Sequence, residues 1–112
     1  MKQITILLAL LLGTDLLANV ENGKAVFAAN CAICHTVNGG SALGPDLNLV
    51  SYTRTKEELE NYTRDPYTYY KTFGYSANAM PTLPLEKQEL KDVTDYIDSL
   101  QPFKKWMKKK KL

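Results

Sequence analysis

Both cysteines of the chain and its single histidine fall within five positions, in the run Cys31-Ala32-Ile33-Cys34-His35. Four chemistries compete for three soft ligands at that spacing. A structural zinc ion takes four nitrogen or sulfur ligands; the chain offers three, and the adjacent Cys34 and His35 share one tetrahedral ion poorly. A thioredoxin-like redox pair sits between a strand and a helix, and no stretch before Cys31 alternates as a strand does. A plain disulfide would close a very short loop. It would restrict the unfolded chain little, since that effect grows with loop length, and would leave His35 without a role. The fourth chemistry is covalent haem attachment, for which C-x-x-C-H is the signature. Cysteines at i and i+3 share one side of a helical turn, so both reach the two vinyl groups along one porphyrin edge. His35, next in line, then turns a ring nitrogen onto the iron. The spacing points to haem c, covalently bound, one per chain, with His35 as an axial ligand.

Such a cluster needs elements around it to hold it. Residues 20–30 read as a short helix whose stripe is Val20, Lys24, Phe27 and Ala28. After the cluster comes a run of chain breakers, Asn38-Gly39-Gly40-Ser41 and then Gly44-Pro45. Thr55 with Glu58 three residues later fits a capping box and opens a helix toward Tyr62, which Asp65-Pro66 ends. Tyr67, Tyr69, Tyr70 and Tyr75 lead on to Met80-Pro81. From about Leu85, the residues Leu90, Val93, Tyr96, Ile97 and Leu100 recur at spacings of three and four, and Pro102 stops that helix. Glu86, Glu89, Asp92, Asp95 and Asp98 spread around it and read as a solvated surface. No stretch reads as a strand, so the class is all-α.

The ends differ from the body. Lys2 precedes the apolar run Ile4 to Leu12, which is too short for a bilayer core of roughly 30 Å, and Leu16-Leu17-Ala18 offers a cleavage site before Asn19. Residues 1–18 therefore read as a cleaved secretory signal peptide, with an uncleaved membrane anchor as the rival, and the protein as periplasmic. What remains is one small domain, 19–103, and a basic tail, 104–112. Six lysines lie in that tail, while residues 19–103 carry 7 basic and 11 acidic groups. A domain of this size is helped by a cofactor at its centre.

With these residues in place, the sequence resembles the small class I cytochromes c over roughly Val20 to Gln101. The resemblance rests on C-A-I-C-H, on Gly23 and Phe27 four apart in the first helix with Tyr96 as their partner on the last, on Gly44-Pro45-Asp46-Leu47, and on Met80-Pro81. It implies a cytochrome c-like fold of three to five helices wrapped around one covalently attached haem. It implies that the Pro45 carbonyl accepts the other ring N–H of His35, and that Met80 is the second axial ligand. An open sixth position and Met107 are the alternatives. The tyrosines are expected to pack over a haem edge.

The function so implied is a monohaem electron carrier between periplasmic or membrane-bound redox partners, and not an enzyme, because the single histidine is taken. Two rivals stand beside it. One is a haem subunit of a larger periplasmic oxidoreductase, such as a sulfur-compound-oxidising complex. The other is a five-coordinate haem protein that binds gases or reacts with peroxide. Nucleic acid is not expected as a partner. If residues beyond Pro102 are helical, Phe103, Trp106 and Met107 share a face among the lysines, which suits an anionic membrane surface or an acidic redox partner. The alternative is a solvated tail with Trp106 folded back on the body.

Overall fold

Four helices and one 3-10 turn, with no strand among the described residues, surround a small apolar core. The structure is a computed structural model that describes residues 18–102. The segment read from the sequence as a signal peptide, apart from its last residue, and the lysine tail lie outside those residues. Helix α1 covers residues 18–30, the 3-10 turn Val50–Tyr52, α2 Lys56–Arg64, α3 Pro66–Tyr69 and α4 Lys87–Ser99. The expected all-α class holds.

The buried side of α1 is Gly23, Val26 and Phe27, continuing to Cys31, while Lys24 and Ala28 face solvent. This corrects the stripe read from the sequence by about one residue, and the reason is the crossing with α4. At Gly23 the two backbones nearly touch: a Cβ there would lie 1.9 Å from the Asp92 carbonyl oxygen and 2.8 Å from the Tyr96 Cβ. Only glycine allows that approach. One turn later Phe27 meets Tyr96 with ring centroids 5.6 Å apart and a tilt of 57°. Such a pair contributes about 1 kcal/mol beyond its burial.

Helix α2 starts as its sequence dictates. The Thr55 hydroxyl accepts the Glu58 N–H at 3.1 Å and the Glu58 carboxylate accepts the Thr55 N–H at 3.0 Å. The second bond is the main reason that the Glu58 carboxyl lies below its ordinary pKa. A cap of this kind contributes about 1 kcal/mol. Asp65 ends α2, as expected, leaving the helical region for one residue (φ −146°, ψ 71°) before a further short helix begins at Pro66. Asp65 also caps α3, accepting the Thr68 N–H at 3.3 Å and the Thr68 hydroxyl at 2.6 Å. Pro66 takes the first helical position, where its missing N–H costs nothing.

Helix α4 buries Leu90, Val93 and Ile97, in keeping with the periodicity, and ends before Pro102. Its acidic residues are not all solvated. Asp92 is only 3 % exposed and takes the amides of Asn22 at 2.7 Å and Gln88 at 2.8 Å. Because Asn22 belongs to α1, this carboxylate fastens the helix crossing. Asp95 accepts the Lys56 ammonium of α2 at 3.3 Å. The core that results joins Val26 and Phe27 of α1, Cys31, Leu59 of α2, and Val93 and Ile97 of α4.

Candidate functional site

The five-residue cluster continues directly from the end of α1. The Cys31 N–H donates to the Phe27 carbonyl at 2.8 Å, and the N–H groups of Cys34 and His35 both donate to the Cys31 carbonyl, at 3.1 and 2.9 Å. One further turn therefore carries both thiols and the imidazole. The two cysteines form no disulfide with each other; Cys31 is buried and Cys34 half-buried. Burial, and secondarily the nearby Cys34, push the Cys31 thiol up to about 11.

A second segment lies alongside this turn. The Gly44 N–H donates to the Cys34 carbonyl at 2.7 Å and the Leu47 N–H to the Thr36 carbonyl at 2.9 Å. Between them, His35 Nδ1 lies 2.8 Å from the Pro45 carbonyl oxygen. A carbonyl can only accept, so the proton sits on Nδ1 and Nε2 is left as the basic nitrogen. Gly44 lies against the ring itself. A Cβ on it would come within 2.5 Å of His35 Cε1 and 2.8 Å of Nδ1. Gly44 thus admits the ring and Pro45 orients it.

Asp46, between these partners, staples the loop shut. Its Oδ1 accepts the N–H groups of Asn38 at 2.9 Å and Asn48 at 2.8 Å, and its Oδ2 that of Gly40 at 2.7 Å. Asn38 supplies its N–H from a left-handed conformation, φ 68°, which asparagine tolerates better than most residues. Thr36 adds a hydroxyl bond to the Gly40 carbonyl. The backbone bonds from Asn48, Asn38 and Gly40, in that order, hold the Asp46 carboxyl down to about 2. The charged carboxylate is thus the form that fits this loop.

Met80 stands on another loop, between α3 and α4. Asn78 brackets it: the Asn78 side-chain oxygen accepts the Met80 N–H at 3.2 Å, and its amide donates to the Met80 carbonyl at 3.1 Å. Among the described tyrosines, Tyr67 is 76 % and Tyr75 44 % exposed. Tyr75 meets Tyr62 edge-on at 6.2 Å and Tyr67 meets Tyr70 at 6.4 Å.

The residues present suit a covalently held haem. Two thiols share a turn with an imidazole whose tautomer leaves Nε2 basic, and Gly44 makes room for that ring. Among the described residues no three His, Cys, Asp or Glu side chains gather to hold a metal ion, which weighs against the zinc reading. Ile33 and Leu43, 83 % and 84 % exposed, put large apolar side chains on the surface of the same two segments.

Of the residues that sequence reasoning singled out, the structure places Cys31, Cys34 and His35 on one turn with Pro45 bonded to it, and Met80 on a separate loop. Sequence reasoning overlooked the contact of Gly44 with the ring, the clamp at Asp46 and the bracket at Asn78. Signals for the last two existed. An aspartate after a run of Asn and Gly and an asparagine two residues before Met80 are both placed for side-chain-to-backbone turns.

The Cytochrome c family model matches residues 20–101. Cytochrome c6 from Porphyra purpurea is 35 % identical over 91 residues, covering 80 % of this chain and 77 % of that protein. Cytochrome c6 from Thermosynechococcus vestitus is 34 % identical over 96 residues, covering 81 % and 79 %. A cytochrome c-553-like protein from Synechocystis is 27 % identical over 82 residues, covering 73 % and 70 %. No solved structure matches the chain. The matching span runs from the helix before the cluster to the end of the helix that crosses it, so the chain belongs to the cytochrome c family, among its small monohaem electron carriers with one covalently bound haem c.

Proposed function

We propose that this protein shuttles single electrons between an exported redox donor and acceptor, with its haem tethered to Cys31 and Cys34 and its iron held by His35 and Met80. When bound, haem c supplies a one-electron couple between ferric and ferrous iron. The observation that carries the reading is the 2.8 Å bond from His35 Nδ1 to the Pro45 carbonyl, on the turn that holds both thiols. Each residue then has one task. The two cysteines fix the group against α1, and Pro45 sets the plane and tautomer of His35. Asp46 holds Pro45 in place. Asn78 fixes the backbone that carries Met80.

With haem bound, ligation by the Met80 thioether together with the His35 imidazole would favour reduced iron and raise the potential relative to two nitrogen ligands. Two protein ligands also leave no coordination position for a substrate, which is why the reading is a carrier and not an enzyme. The relatives named cytochrome c6 support a free carrier. The apolar run before Asn19 supports export and a periplasmic location.

Absorption spectra of the purified protein in both oxidation states, with the mass of the denatured chain, test this. The expected result is a low-spin c-type spectrum with a sulfur-to-iron band in the ferric state. The expected mass is that of a chain beginning near Asn19 plus one haem. A mass without haem from a host competent in attachment would overturn the assignment of Cys31 and Cys34. A high-spin ferrous spectrum would overturn that of Met80.

A further inference from the structure

Arg54 is joined to a segment nineteen residues away. Its Nη2 donates to the Phe73 carbonyl at 3.2 Å, and its guanidinium carbon lies 4.1 Å from the centroid of the Phe73 ring. One side chain thus holds one residue by both its backbone and its ring. The base of this contact is itself fixed: the Arg54 N–H donates to the Val50 carbonyl at 3.0 Å, and Val50 packs on the core. Phe73 has a second neighbour in Tyr62 of α2, with centroids 4.5 Å apart, and Tyr62 also meets Tyr75. The segment carrying Met80 leaves directly from this cluster. Its far end is held where Leu85 packs against the core.

We infer that Arg54 is a positioning residue for Met80, pinning the near end of the loop through Phe73 so that the sulfur stays on the iron. The inference rests on Met80 being the axial ligand. Arginine suits the task because its planar guanidinium can donate to a carbonyl and lie on an aromatic face at once, which a lysine ammonium does less well. Releasing the pin lengthens the free segment, and a longer free segment samples more conformations in which the sulfur has moved away. Glu58 pairs with Arg54 from the other side, Nη1 to Oε2 at 3.4 Å. That pair is partly exposed, so it is a weak contributor.

The test uses the haem-loaded full chain and carbon monoxide, which binds ferrous iron only where Met80 has left it. Apparent affinity then scales with the fraction of open molecules. Arg54→Leu is expected to raise carbon monoxide binding on the order of tenfold and to weaken the ferric sulfur-to-iron band. Arg54→Lys and Phe73→Leu, which each keep part of the contact, are expected to fall between Arg54→Leu and wild type. Glu58→Gln keeps the Arg54–Phe73 contact and is expected to match wild type. Met80→Ala sets the upper limit. If Met80→Ala binds no more carbon monoxide than wild type, the ligand assignment fails and this inference with it. If Met80→Ala binds freely while Arg54→Leu and Phe73→Leu bind as wild type does, the pin alone is refuted. A drop in unfolding midpoint without a change in binding would also refute it, because Arg54 would then be merely structural.

Discussion

Gly23 of α1 and Asp92 of α4 meet backbone to backbone: a Cβ on Gly23 would lie 1.9 Å from the Asp92 carbonyl oxygen. Neither partner can give way cheaply, since Asp92 lies within α4 and its side chain is bonded to Asn22 and Gln88. Gly23→Ala is therefore expected to push the helices apart and to cost about 2–3 kcal/mol. Lys24→Ala, one residue away on the exposed side, is expected to change stability by less than about 0.5 kcal/mol. Guanidinium denaturation of the two variants checks the pair. Equal midpoints would mean that the crossing is not tightly packed.

That crossing shows what could be read from the sequence and what could not. The capping box of Thr55 and Glu58 was legible because both partners lie within one helical turn. The C-x-x-C-H signature was legible because its chemistry is confined to five residues. Gly23, Phe27 and Tyr96 came from the family resemblance, and the structure bears out their contact. Asp92 was misread as solvated because its neighbours on α4 are charged and its partner, Asn22, is 70 positions away. The face of α1 was misjudged for a related reason. Val20, Lys24 and Ala28 satisfy a helical period, but the face actually buried was set by the close approach of α4.

The Asp46 clamp predicts an acid limit for the loop that carries Pro45. The loop's N–H groups hold this carboxyl at about 2, against an ordinary 3.8. A depressed folded pKa contributes stability that is complete above the ordinary value and is lost as pH falls through the folded one. The wild-type loop should thus loosen between about pH 4 and pH 2. Asp46→Asn should lack that step, because its amide has no charge to lose, and its loop should be weaker at neutral pH. Amide exchange at Asn38, Gly40 and Asn48, followed against pH, reads the difference. An identical acid profile in the two proteins would rule the clamp out as its cause.

Replacing Cys31 and Cys34 together should leave a largely unfolded chain. Cys31 belongs to the apolar core, and the described domain is small enough to depend on a cofactor for much of its interior. Circular dichroism at 222 nm, a wavelength dominated by helical peptide groups, is expected to lose most of its signal. Retention of native helicity without haem would show that α1, α2 and α4 pack on their own.

Asn78 predicts a graded effect at Met80, the proposed second ligand. Its oxygen takes the Met80 N–H and its amide reaches the Met80 carbonyl, so two substitutions separate the two bonds. Asn78→Asp keeps the acceptor and loses the donor; Asn78→Ala loses both. Each bond is expected to contribute about 1 kcal/mol to holding the Met80 backbone. Carbon monoxide binding to the ferrous protein should therefore rise in the order wild type, Asn78→Asp, Asn78→Ala, with Met80→Ala above all three. The thioether attachment should be unaffected, because Cys31 and Cys34 lie on a different segment, the turn after α1. A variant Asn78→Ala that binds no faster than wild type would show that the fold beyond Pro81, and not the asparagine bracket, keeps the sulfur in place.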